Sequence, residues 1–280
     1  MHACEQAYAL CWHRFQTVLT ELVGELRQLR RPAGELLEYG ASAVSGPIAG
    51  RMVGACVPFA PERFVTPMAA VAGAVAEELI EFFRRPGIHR AYINNGGDIA
   101  LHLAAGASYR VGIWSNLERH PRREATGSEL DGDFAVEAAM PIRGVATSGW
   151  RGRSLSLGIA DSVTVLADGA AAADVAATLV ANAVNCDVAG IIRVPAERLK
   201  DDTDLGGLAV TVAVPSLPPE AVAQALQAGR REAEYWRERG RLYAAVLLLQ
   251  GRAATVLPRE GRAAAHASLQ LRSACLPEVA

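Results

Sequence analysis

Only one lysine, Lys200, stands among the 28 basic residues of this chain; the others are arginines, and alanine is abundant. No site chemistry requires that balance, so it reads as genomic base-composition bias. The five cysteines, Cys4, Cys11, Cys56, Cys186 and Cys275, are odd in number and form no C-x-x-C pair. Neither a disulfide framework nor a zinc site is signalled, and a reducing compartment fits best. No stretch reaches the roughly 18 to 20 apolar residues of a membrane span. The opening MHACEQAYALCWHRF is broken by Glu5, Gln6, His13 and Arg14, which argues against a secretory signal and for the cytoplasm. The formal charge is -2 with the arginines scattered, so nothing draws the chain to nucleic acid or to an anionic membrane. Walker A and a G-x-G-x-x-G after a strand are missing. So are H-E-x-x-H pairing among the histidines (His2, His13, His89, His102, His120 and His266) and the G-x-S-x-G nucleophile elbow.

What is present is 280 residues with 51% hydrophobic content, enough for one large core or two modest ones. Apolar spacing predicts an amphipathic helix over Gln6–Leu29, with Phe15, Val18, Leu19, Leu22, Val23 and Leu26 on its apolar face. Gly40–Pro61 reads as an irregular or short helical link. A second helix follows Thr66-Pro67, with Thr66 as N-cap, and stops at Pro86-Gly87. Strands are expected at Arg90–Asn94, Ile99–Leu103, Tyr109–Trp114, Phe134–Ala139, Ile142–Thr147, Ser162–Ala167, Ile191–Val194, Leu208–Val214 and Leu242–Leu249. Helices are expected at Ala170–Val184 and Pro218–Arg239, and a charged surface insertion at Ser115–Asp133. The fold class is therefore α+β, with largely antiparallel sheets covered by long helices. One such domain over 1–250 is expected, its division into two subdomains left open, followed by an Arg/Ala-rich mobile tail over 251–280.

Three short stretches carry chemistry. Asn95-Gly96-Gly97-Asp98 lies between two strands, where glycine and asparagine tolerate positive φ, so a plain hairpin turn accounts for it. Backbone without Cβ atoms also lets a phosphate or flavin edge approach, and the carboxylate directly after the turn tips the balance that way. Thr147-Ser148-Gly149 ends a strand just before Arg151 and Arg153, which suits phosphate oxygens but equally an ordinary polar turn. Asp174 and Thr178 are four apart and share a helix face. Together they make a hard oxygen site suited to Mg²⁺, although Asp174 could equally serve a helix N-terminus.

Taken in order, these stretches resemble the ApbE-type flavin transferase superfamily, in particular its less characterised cytoplasmic branch. The resemblance runs from about Phe64 through Val184, with a weaker continuation to the strand ending at Gln250. It rests on Val71-Ala72-Gly73 to Glu77, Asn94-Asn95-Gly96-Gly97-Asp98, Thr147-Ser148-Gly149, Ser162-Val163-Thr164-Val165 and Ala173-Asp174-Val175-Ala176-Ala177-Thr178. It implies an ApbE-like, T-fold-related architecture that binds FAD or a related nucleotide beside Mg²⁺. Asp174 and Thr178 would be the metal ligands, with a backbone carbonyl near Val71 or Ala72 as a third. Asn95, Gly96, Gly97, Asp98, Thr147, Ser148 and Gly149 would line the nucleotide.

The departures bear on activity. The family's lysine is replaced by Ala72 and its aspartate by Glu77. The H-I-x-D-P segment with its catalytic histidine has no counterpart in Trp150–Gly158, leaving Asp161 and His102 as substitute bases without a motif to support them. The expectation is a Mg²⁺-dependent flavin or nucleotidyl transferase or an FAD pyrophosphatase, with a protein acceptor for any transferred group and a homo-oligomer as a candidate assembly. The alternative is a non-catalytic flavin- or metabolite-binding protein that assists a redox enzyme.

Overall fold

The structure, a computed structural model, describes residues 2–38, 43–113, 132–258 and 269–271. Its centre is a six-stranded antiparallel sheet in the order β1-β2-β5-β6-β9-β10. These strands are β1 (Arg90–Asn95), β2 (Asp98–Leu103), β5 (Gly144–Ser148), β6 (Ser162–Ala167), β9 (Ala244–Leu249) and β10 (Arg252–Val256). β3 (Ser108–Ile113), β4 (Gly132–Glu137) and β11 (Leu269–Leu271) form a three-stranded sheet; β7 (Ile192–Pro195) and β8 (Ala209–Ala213) form a separate pair. All the described pairings are antiparallel, in keeping with the absence of βαβ alternation in the sequence.

Strand parity decides what covers each face of the main sheet. Val145, Leu166 and Ala244 stand in register across β5, β6 and β9 and join Ile113, Phe134 and Val136 of the smaller sheet in one apolar cluster. Their neighbours Ala146, Val165 and Ala245 point the other way, into the core built with the helices. The molecule is thus three layers deep: helices, large sheet, small sheet. That is why β6 (SVTVLA) and β9 (AAVLLL) are buried at every position. Covered on both faces, β9 shows no polar alternation, and β6 alternates only through the buried hydroxyls of Ser162 and Thr164.

The helical layer comprises α1 (His2–Gly24), α2 (Leu26–Leu29), α3 (Pro47–Cys56), α4 (Val71–Ile80), α5 (Ala170–Ala183) and α6 (Pro219–Glu238). The alanine-rich α5 lies directly on β5 and β6 and touches α3, α4 and α6, an approach that its small side chains permit. α6 is anchored by Trp236, which is fully buried against Phe59 with ring centroids 4.6 Å apart. The expected link at Gly40–Pro61 contains α3, started by Pro47 at the first helical position.

Three expectations change. The boundary at residue 250 cuts a hairpin, because β10 at Arg252–Val256 completes the main sheet and β11 pairs with β4. Gln250 and Gly251 both take positive φ and turn the chain tightly enough for β10 to return beside β9. The rest of the 251–280 tail, 259–268 and 272–280, lies outside the described residues, as does the Ser115–Asp133 insertion up to residue 131. Thr66 flanks a 3₁₀ turn at Pro67–Ala70 and makes no capping hydrogen bond there; its hydroxyl donates instead to the Asp204 carboxylate. Phe15, Leu19 and Val23 of α1 face outward, whereas Val18 is buried and Leu22 packs against the core.

Candidate metal and nucleotide site

The site is built at the end of the main sheet where β1 ends and β2 begins. Asn95 pairs with Asp98 across a two-residue turn, and its central residues, Gly96 at φ +73° and Gly97 at φ +117°, belong to the primed class that a side chain resists. The hairpin reading of N-N-G-G-D is therefore correct. The amide of Gly97 is consumed locally, donating to the Asn94 side chain at 2.8 Å. The cationic group at this bend is Arg153, whose guanidinium lies against Gly96 where a Cβ would stand.

Asp98 closes the turn and shares its sheet face with Ala100, toward the helices. Its carboxylate accepts the Thr147 backbone N–H at 3.3 Å, joining the first bend to the end of β5. Burial pushes the Asp98 carboxyl up to about 6, against the opposing pull of the Thr147 amide and the Arg153 charge. Asp174 comes from α5, and its carboxylate accepts the Gly73 N–H at 3.0 Å. Burial, and then the charge of Asp98, push its carboxyl well above the usual range; the amides of Gly73 and Ala72 act the other way. The two carboxylates thus sense one another. Thr178 follows Asp174 by one turn on the same half-buried face of α5. The Ala72 carbonyl accepts from the Asn95 side-chain amide at 3.2 Å, bringing the start of α4 to the same place.

Asp174 has a second role that spacing could not show. α4 begins after Ala70 and α5 after Gly169, and neither N-cap residue makes a side-chain capping bond. Each helix instead borrows a carboxylate from the other: Asp174 of α5 takes the Gly73 amide, while Glu77 of α4 takes the Ala171 amide at 2.9 Å. Burial raises the Glu77 carboxyl, partly countered by that amide and by Arg51. The helices approach so closely that a Cβ on Gly73 would lie 2.2 Å from the Ala170 carbonyl oxygen. The clue available in the sequence is negative: a helix start without Ser, Thr, Asp or Asn leaves amides that something else must satisfy.

The remaining candidates fall at varying distances. Thr147 is exposed, its hydroxyl 2.9 Å from that of Thr164 on the face toward the small sheet. Ser148 is half-buried and Gly149 buried. Asp161 turns its carboxylate to the Gln250 amide at 2.6 Å and holds the β9–β10 turn. His102 has Nε2 3.0 Å from the Ile88 carbonyl oxygen and stands four residues along β2 from Asp98, about 13 Å at strand rise. A cleft of about 330 Å³, lined by Arg51, Glu77, Arg84, Arg143 and Asp168 among others, opens at the N-terminal end of α5, about one turn before Asp174. Among the described residues no three His, Cys, Asp or Glu side chains converge as a metal cluster. The donor set at the candidate site is two carboxylates, one hydroxyl and backbone.

A family model described as AbpE bacteria matches residues 1–255. The chain belongs to that family. As a member of the AbpE bacteria family it is also similar to archaeal proteins. It is 40% identical over 124 residues to a UPF0280 protein of Methanothermobacter thermautotrophicus, an alignment covering 43% of each chain. It is 38% identical over 138 residues to a UPF0280 protein of Methanosphaerula palustris, covering 49% of this chain and 52% of that one. A UPF0280 protein of Methanoculleus marisnigri is 35% identical over 136 residues, covering 48% and 51%. The chain spans about half the length of the curated relatives it matches. Among the described residues no helix is long and apolar enough to cross a membrane.

Proposed function

We propose that this protein binds a nucleotide diphosphate, with FAD the first candidate, together with Mg²⁺ at the junction of the β1–β2 turn, the end of β5 and helices α4 and α5. The observation that carries the reading is the junction of two half-buried carboxylates from distant segments. Asp174 holds the Gly73 amide, the adjacent Ala72 carbonyl holds Asn95, and Asn95 pairs with Asp98, whose charge raises the Asp174 carboxyl. An all-oxygen set of this kind fits a hard divalent cation, and neutralisation by such an ion would relieve the repulsion. Asp98, Asp174 and Thr178 would hold the ion. When bound, it would supply charge neutralisation to a diphosphate and keep positions for water and phosphate oxygens. The chain's own groups would position the ligand: Arg153 offers forked donors at the Gly96–Gly97 bend, whereas Thr147 gives its amide to Asp98 and pairs its hydroxyl with that of Thr164 on the other sheet face. The ApbE resemblance, with its T-fold-related architecture, supports a flavin as the nucleotide.

The first reading is a flavin or nucleotidyl transferase, or an FAD pyrophosphatase, working on a small-molecule nucleotide with or without a protein acceptor in the cytoplasm. The second is binding without chemistry, in support of a redox enzyme. It is favoured by the positions of Asp161 and His102, one bonded to Gln250 and the other set against Ile88, since group transfer to a hydroxyl needs a proton acceptor in reach. Incubating the protein with FAD and Mg²⁺, and following flavin fluorescence and the release of AMP and FMN, separates them. Mg²⁺-dependent product lost in Asp174→Ala supports the enzyme. Saturable FAD binding without product supports the second reading, and no flavin binding sinks both.

A further inference from the structure

Helix α1 carries more apolar surface than one side can bury. Ala7, Cys11, Val18 and Leu22 pack inward. Tyr8, Trp12, Phe15, Leu19 and Val23 face outward, with relative exposures of 67%, 63%, 49%, 74% and 58%. Their spacing places them on one stripe about 23 Å long, the seam spacing of a coiled coil. Aromatic side chains bury about 150–250 Å² each when covered fully. At these exposures the stripe offers on the order of 500 Å², near the upper limit for the largest patch of a typical monomer. Covering two such stripes removes on the order of 1,000 Å², the area at which specific interfaces begin.

We propose that α1 packs antiparallel against α1 of a second copy of this chain, about a two-fold axis near Phe15. The register is self-complementary. Tyr8 meets Val23 of the second copy, Trp12 meets Leu19, and Phe15 meets Phe15, so that a large side chain faces a smaller one except at the axis. The ends carry charge in the same sense: exposed Glu5 near the start of α1 comes beside exposed Arg27, which lies in α2 just beyond the end of the other copy's α1, twice per dimer. A parallel arrangement would instead stack Glu5 on Glu5 and Arg27 on Arg27, which selects the antiparallel one. Neighbouring charges are engaged within the chain, Arg14 of α1 with Glu21 and Glu78, and Glu25, between α1 and α2, with the amides of Ser45 and Gly46.

Sedimentation velocity of the full chain from about 1 to about 100 µM tests this. A concentration-dependent monomer–dimer equilibrium is expected. Leu19→Glu, at an exposed position, should raise the dissociation constant by about 100-fold or more while leaving the circular dichroism spectrum unchanged. Glu5→Arg and Arg27→Glu should each weaken the dimer several-fold, and the double variant should restore it. A wild-type chain that stays monomeric throughout, or a dimer indifferent to Leu19→Glu, overturns the proposal. Failure of the double variant to restore association overturns the antiparallel register.

Discussion

Replacing Asp98 by Asn tests the electrostatics of the site without altering its shape, because the amide oxygen can still accept the Thr147 N–H. The folded carboxyl titrates near 6, whereas an unfolded aspartate titrates near 3.9. Between those values the folded chain holds a proton that the unfolded chain has lost. Its stabilising contribution is therefore present below about pH 4 and disappears as the pH rises through 6. Two pKa units correspond to about 3 kcal/mol. Asp98→Asn should thus match wild type near pH 4 and exceed it by up to about 3 kcal/mol at pH 7.5, a rise in Tm of about 6 °C for a chain of this size. Differential scanning calorimetry of both proteins at the two pH values reads the joint effect of Asp98 and of the Asp174 carboxyl that its charge raises, because contributions from groups that do not sense Asp98 cancel. Mg²⁺ provides the second arm. At ten times its dissociation constant it should stabilise wild type by about 1.4 kcal/mol at pH 7.5 and the variant far less. If Asp98→Asn follows wild type from pH 4 to pH 7.5, or if the ion stabilises both equally, the account of two opposed carboxylates holding a cation is refuted.

Gly73→Ala should cost about 3 kcal/mol in urea denaturation, because its Cβ meets the Ala170 backbone rather than a movable side chain; unchanged stability would show that the helices can separate freely. Glu77→Ala removes the acceptor of the Ala171 amide and should cost about 1–2 kcal/mol in the same assay. Asp161→Ala should cost about 1 kcal/mol by freeing the Gln250 amide while leaving FAD affinity unchanged. A tenfold loss of flavin affinity in that variant would bring Asp161 into the site.

Much of the architecture is legible because periodicity speaks for itself. β9 announces itself as a continuous apolar run and β6 as a β-branched one, the Asn-Gly step marks the β1–β2 turn, and Ala170–Ala183 reads as a helix from its alanines. Less legible is anything that depends on what lies across a gap in the sequence. The apolar residues of α1 read as one face, since nothing local distinguishes Val18, which is buried, from Leu19, which is not. β10 is short and follows a turn with glutamine in a left-handed conformation, a weak hairpin signal. At the site, the i, i+4 relation of Asp174 and Thr178 was plain, as was the carboxylate after the glycines. That Asp174 would also serve the start of α4, with Glu77 returning the service, could not be read from either segment alone.

Those exchanged caps link amides and acids separated by 101 and 94 positions of chain. Neither helix can complete its own first turn in isolation, so α4 and α5 must be born together and must fray together. Proton exchange at Gly73 and at Ala171 should accordingly respond as one event, and any ligand that tightens the first would be felt at the second.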